Sequence, residues 1–220
     1  MPSKGNLIEP QRPVPRLYLV TPQVSDPAGL MNALAAALGA ANIAAVLLHL
    51  ADADERTLIN RAKPLAAVIQ EKGAAFLLAD HADLVARTGA DGAHLNGIDT
   101  FTAALPMLKP ERIVGCGGVA SRHDAMVAAE SGADYVMFGE PDEEGHRPSF
   151  EAVVERVAWW AEVFEIPCVG FAAGLEEIDA LVATGADFIA AGDWVFTDAR
   201  GPAAALTEIA TQLATAEAVE

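Results

Sequence analysis

Eight short apolar runs, separated by helical patterns, constrain this chain more than any other feature. They fall at about Arg16–Val20, Ala44–Leu50, Ala75–Ala79, Gly92–Leu95, Arg112–Gly115, Tyr135–Phe138, Pro167–Phe171 and Asp187–Ala191. None alternates apolar with polar residues, which is how strands read when helices cover both faces of a parallel sheet. Asp26-Pro27, Asp54, Ser121 and Ser149 stand where helices should start, and Gly39, Gly73, Gly89, Gly132 and Gly185 where they should stop. Gly-Ala-Asp recurs at Gly89, Gly132 and Gly185, each time leading into a strand run, at spacings of 43 and 53 residues. Eight such units in one domain predict a (β/α)8 TIM barrel over residues 16–220, behind an extended tail at 1–15. A doubly wound open sheet is the runner-up, but it has fewer strands, and the chain has no GxGxxG fingerprint.

Composition narrows the partners. With 14 Lys+Arg against 31 Asp+Glu among 220 residues, the net charge of −17 repels nucleic acid and anionic membranes. A 52% hydrophobic content excludes disorder. The start of the chain, with Lys4 and Arg12, carries no apolar core of a signal peptide, and no run is long enough to span a bilayer. Cys116 and Cys168 have no CxxC spacing, so both read as reduced thiols of a cytoplasmic protein. Monomer and homodimer both stay open.

In a barrel of this kind, the loops after the strands build the ligand site at the C-terminal mouth. A small-molecule ligand is therefore expected there, and the strand ends supply the candidates. Asp80 and Asp99 are placed to share a hard cation such as Mg²⁺, or else to serve as helix N-caps. His49 either does acid–base work or hydrogen-bonds a loop carbonyl. His94 reads as structural, and His81 as a first-turn helix residue. Gly115 to Gly118 reads as a loop whose N–H groups approach a ligand. The acidic stretch from Glu140 to Arg147 is a lid or a solvated loop. Of Trp159 and Trp160, one should face the barrel and the other be partly exposed.

Several segments together resemble the thiamine phosphate synthase family and its thiazole tautomerase branch. They are Leu17-Tyr18-Leu19-Val20-Thr21, Phe76-Leu77-Leu78-Ala79-Asp80, Gly89-Ala90-Asp91-Gly92-Ala93-His94-Leu95, Gly132-Ala133-Asp134-Tyr135-Val136 and Ile166-Pro167-Cys168-Val169. The resemblance implies a transferase of thiamine biosynthesis that joins a pyrimidine diphosphate to a thiazole phosphate. It implies Mg²⁺ on the departing pyrophosphate, with Asp80 and Asp99 matching the metal aspartates.

The departures from that pattern are consistent in sign. The family's Gln-Leu-Arg-Glu-Lys run reads Leu47-Leu48-His49-Leu50-Ala51, and its Ser-Thr-His reads Gly117-Gly118-Val119. Its Thr-x-Thr-Lys is replaced by the acidic loop, its Gly-Gly phosphate loop by Ala172-Ala173-Gly174, and the strand 8 serine by Asp193. His49, Gly117, Gly118, Gly174, Gly192 and Asp193 thus stand where substrate should bind, and Asp193 should occupy a phosphate's place. Fewer cations predict weakened or lost synthase turnover, with Arg147 able to swing over the mouth as a replacement. Alternatives are a non-catalytic ligand-binding or regulatory paralogue, or another small-molecule enzyme using His49, Asp80 and Glu140.

Overall fold

The computed structural model describes residues 14–142 and 144–218. The proposed tail at 1–15 therefore lies almost wholly outside the described residues. Strands and helices alternate as β1 (Arg16–Val20), α1 (Pro27–Ala40), β2 (Ile43–Leu48), α2 (Glu55–Gln70), β3 (Ala75–Ala79), α3 (Val85–Thr88), β4 (Gly92–Asn96) and α4 (Ile98–Leu108). They continue as β5 (Ile113–Gly117), α5 (Arg122–Glu130), β6 (Tyr135–Phe138), α6 (Phe150–Val163), β7 (Cys168–Ala172), α7 (Ile178–Ala183), β8 (Phe188–Ala191), α8 (Trp194–Thr197) and α9 (Pro202–Ala218). The strands pair in parallel in chain order, and β8 pairs back onto β1 to close the barrel. This is the (β/α)8 barrel that the apolar runs predict.

The helix starts form as their residues dictate. Asp26, Asp54, Ser121 and Ser149 each accept a first-turn backbone N–H, and Ser121 forms a capping box with Asp124. Of the expected stops, Gly73, Gly89, Gly132 and Gly185 take positive φ, whereas Gly39 lies inside α1. The helix outruns that glycine because Leu34, Ala37 and Leu38 go on burying its inner face.

The repeated aspartates have one structural job. Asp91 accepts the Phe76 N–H at 2.7 Å, Asp134 that of Val114 at 2.7 Å, and Asp187 that of Cys168 at 2.8 Å. Each carboxylate, standing before an even-numbered strand, satisfies a backbone donor at the start of the preceding odd-numbered one. The preceding alanines, Ala90, Ala133 and Ala186, are buried.

Two apolar layers result. Leu48, Phe76, Phe101 and Trp160 belong to the large layer between strands and helices. Trp160 is fully buried and donates its indole N–H to the Ile166 carbonyl, while the half-buried Trp159 lies under the Arg122 guanidinium. Tyr18, Leu47, Leu77, Tyr135, Met137, Val169 and Phe171 form the smaller cluster inside the barrel. Among the described residues, no helix is long and apolar enough to cross a membrane.

Candidate functional site

The barrel interior holds several polar side chains, and two glycines create the room for them. Gly115, Cys116 and Gly117 are the last residues of β5 rather than a loop, which corrects the sequence reading. A Cβ on Gly115 would fall on the Tyr135 ring, and one on Gly117 on the Glu140 carboxylate and the His94 imidazole. Those side chains fill the space. Tyr18 and Tyr135 share a hydroxyl–hydroxyl hydrogen bond of 2.8 Å, and the Tyr135 hydroxyl lies 3.0 Å from His94 Nδ1. The His94 ring stacks on Tyr135 at 5.6 Å. Burial pushes both tyrosine hydroxyls well above the ordinary phenol range, so they act as neutral hydrogen-bonding groups.

His94 is 1% exposed, and its Nε2 has no hydrogen-bond partner. It faces Glu140 Oε1 at 3.7 Å. Glu140 bends inward, so that the Gly118 N–H donates to the same oxygen at 2.7 Å. Its side chain is only 13% exposed, so this first residue of the acidic loop is neither lid nor solvated surface. Further out the loop is ordinary, with Asp142 accepting the Glu144 and His146 N–H groups in an exposed turn.

Above Glu140 opens a cavity of about 530 Å³, a volume suited to a small organic ligand. Its wall includes Asn96, Gly118, Glu140, Asp142, Arg147 and Arg156. Arg156, on α6, donates to the Val119 and Ala120 carbonyls at 3.3 and 3.2 Å. Among the described residues no carboxylate pairs with it. Arg147 is not a free arm. It donates twice to Glu177, at 3.1 and 3.0 Å, and once to the Phe171 carbonyl at 3.3 Å, which corrects the expectation of a cation able to swing.

Glu177 has a further partner, the Ala173 N–H, at 2.8 Å. The loop after β7 thus already holds an anion, and that anion belongs to the protein. Asp193 does not play this part. It is exposed at the start of α8, and its side chain makes no capping bond there. Nearby, Gly192 is confined by the Phe171 ring at 2.8 Å from its would-be Cβ, and Gly174 faces the Glu176 carboxylate. The Trp194 indole donates to the Ala172 carbonyl, tying the ends of β7 and β8 together.

His49 follows β2 and is half-buried. Its Nδ1 lies 3.2 Å from the Thr21 carbonyl, and its backbone N–H donates to Thr21 Oγ1 at 3.1 Å. A carbonyl only accepts, so Nδ1 carries the proton. Burial pulls the imidazole below its ordinary range, the Thr21 carbonyl opposing this, and the nearby His94 pulls it lower still. A neutral ring with an unprotonated Nε2 is the result. The loop-carbonyl reading is met, and a base remains available.

Neither Asp80 nor Asp99 is a helix N-cap. Asp80 sits at φ 57°, and its two oxygens accept the backbone and side-chain N–H groups of Asn96 at 2.8 and 3.0 Å. Asp99 is exposed in the first turn of α4, whose N-cap is Gly97. His81 precedes a 3-10 turn at Ala82–Leu84, not an α-helix. Among the described residues, no three acidic, histidine or cysteine side chains gather as a metal cage. A carboxylate is the donor type that Mg²⁺ takes, the ion keeping several waters and drawing its other ligands from substrate phosphates. Neither aspartate lines the cavity, and nor do His49, Gly174, Gly192 or Asp193; of the predicted residues, Gly118, Glu140 and Arg147 do. Cys116 and Cys168 are buried, and burial pushes both thiols up to about 12, so neither is a nucleophile.

Tyr18, Tyr135, Arg156 and Glu177 escaped the sequence reading, and His94 was given only a structural role. The usable signal was the Gly115/Gly117 pair, two residues apart on one strand, which leaves an inward face without side chains.

Residues 17–195 match the family model described as thiamine monophosphate synthase. The thiamine-phosphate synthase of Rhodospirillum centenum is 41% identical over 196 residues, spanning 88% of this chain and 95% of that protein. That of Hyphomonas neptunium is 36% identical over 207 residues, spanning 89% and 92%. Among solved structures, the thiamine phosphate pyrophosphorylase of Pyrococcus furiosus superposes with a TM-score of 0.74 at 22% identity, covering 91% of this chain and 96% of that one. Orotidine 5'-phosphate decarboxylase of Pyrococcus horikoshii superposes at 0.66 with 14% identity over 90% of this chain and 99% of that one, a likeness of fold alone.

Proposed function

The chain belongs to the thiamine monophosphate synthase family, and we propose that it carries out a synthase-type transfer, joining a pyrimidine diphosphate to a thiazole phosphate, at a reduced rate. One observation carries this reading. The cavity at the mouth has two guanidinium groups in its wall, Arg147 in the loop where the lysine of the resemblance is missing and Arg156 on the following helix. As the C–O bond to pyrophosphate breaks, charge gathers on the departing group, and fixed donors aimed at that charge lower the barrier. Arg156 supplies this role better than Arg147, because Glu177 neutralises the latter.

The other residues have roles that follow from their surroundings. Asp80, oriented by Asn96, and Asp99 on the first turn of α4 would hold Mg²⁺. Bound there, the metal would offset charge on the pyrophosphate. His49 presents an unprotonated nitrogen that can accept a proton or a substrate N–H. Glu177 limits the rate, since it occupies the β7 loop donor that a substrate phosphate would use.

That same contact favours the second reading, a protein that binds these phosphates without turnover. A thermal-shift panel with pyrimidine diphosphate, thiazole phosphate, thiamine phosphate and Mg²⁺ tests whether they bind at all. A ligand at a hundred times its Kd adds about 2.7 kcal/mol of stability. In a chain of this size that raises Tm by roughly 5–10 °C. The expected result is such a rise for pyrimidine diphosphate with Mg²⁺, exceeding that for either alone. No rise with any of the phosphates would remove both readings.

A further inference from the structure

The Glu140 carboxylate has an unusual combination of features. It is nearly buried, it lines a ligand-sized cavity, and among the described residues no lysine or arginine pairs with it. A buried carboxylate without a cation is costly unless its oxygens are hydrogen-bonded. One oxygen is provided for, since Oε1 accepts the Gly118 N–H at 2.7 Å. Oε2 accepts nothing among the described residues. Behind the carboxylate, the fully buried His94 Nε2 has no hydrogen-bond partner and lies 3.7 Å from Oε1. Of the two residues only Glu140 lines the cavity, so its free carboxylate oxygen is the acceptor that an occupant can meet.

We propose that Glu140, seated over Gly117 against His94, is a specificity-determining residue that accepts the N–H edge of an aminated heteroaromatic ring. The geometry around it supports that class of group. Gly117 has no side chain because one would displace the carboxylate. Gly118 to Ala120 is a single short segment, and it fixes both ends of a bipolar site. Its first N–H holds Glu140, and its next two carbonyls hold Arg156. A ligand that offers an amine to Glu140 and an oxyanion to Arg156 satisfies both. A ring with an oxo group in place of the amine presents a lone pair to a carboxylate, and a buried site rejects such a mismatch strongly. In the proposed reaction the diphosphate-bearing ring is the fitting partner, so the inference rests on that reading for its placement.

The test is calorimetric titration of the whole chain with three probes. These are an aminopyrimidine carrying a diphosphate, its oxo analogue, and the aminopyrimidine without diphosphate. Wild type should bind the amino diphosphate at least about tenfold tighter than the oxo analogue. Glu140→Gln keeps the volume and an acceptor for Gly118 but puts an amide donor in the carboxylate's place. It should bring the ratio near one or invert it, with thermal unfolding and circular dichroism confirming an intact fold. Equal binding of both diphosphates by wild type would overturn the inference and leave the transferase reading standing. An unchanged ratio in Glu140→Gln would do the same. Glu140-dependent binding of the plain aminopyrimidine, with neither diphosphate bound, would sustain the inference and overturn the transferase reading. Binding of none of the three would overturn both.

Discussion

Replacing Glu177 with alanine should lower the unfolding free energy by about 3 kcal/mol and leave a protein that inorganic phosphate restores. Arg147 and Glu177 are 19% and 14% exposed, so neither charge is well solvated. Removing one partner of a buried pair typically costs about 3–5 kcal/mol, because the other charge stays behind without compensation. The low end applies here, since the Phe171 carbonyl and ring still face the guanidinium. The Ala173 N–H loses its acceptor at the same time. Phosphate is an oxyanion of suitable shape for both donors, and its binding adds stability by mass action. Urea unfolding in phosphate and in chloride of equal ionic strength measures this directly. Phosphate should stabilise the variant by at least about 1 kcal/mol more than wild type. Equal stabilisation of the two proteins would mean that the β7 loop is no oxyanion seat.

Gly117→Ala should damage both the packing of the barrel interior and the site above it. Its Cβ would fall on Glu140 and His94, both packed against buried groups, so the carboxylate has to leave its place. Overpacking of this kind costs about 1–3 kcal/mol. Expelling Glu140 also removes the Gly118 contact and the proposed amine selection, so discrimination between the amino and oxo diphosphates should vanish. A double-mutant cycle separates the steric cause from general damage. Adding Glu140→Ala to Gly117→Ala removes one of the two clashing groups. The pair should therefore be less destabilised than the sum of its singles by about 0.5 kcal/mol or more. Strict additivity would show that Gly117 and Glu140 do not meet.

These two cases show what sequence alone conveys. The barrel was legible because each signal was local. Apolar runs marked strands, Asp54 and Ser121 marked helix starts, and the Gly-Ala-Asp units marked strand entries. Even the reason for the repeated aspartate is short-range in space, a carboxylate on a neighbouring strand's first donors. The site was legible only in part. Glu140, Gly118 and Arg147 were found because they follow strands. Arg156 lies a full turn into a helix, where an arginine normally reads as solvated surface. Glu177 sits in a 3-10 turn among other acids, and nothing in its neighbourhood announces that it reaches back to Ala173 and across to Arg147. Position alone points to Asp193 for that role, yet its side chain is exposed and makes no capping bond. Tyr18, Tyr135 and His94 look like core residues of apolar strands. Their meeting inside the barrel depends on the register that closes it and on two glycines opposite.

Product formation by the purified protein tests the central claim most directly. The reaction mixture holds the pyrimidine diphosphate, the thiazole phosphate and Mg²⁺, and both thiamine phosphate and released pyrophosphate are quantified over time. The two products should appear in equal amounts and in excess over the protein, slowly. Arg156→Ala should lower the rate by about 10²-fold or more, the usual cost of losing one preorganised group that stabilises transition-state charge. No thiamine phosphate above a protein-free control, or an Arg156→Ala variant as fast as wild type, would contradict the account.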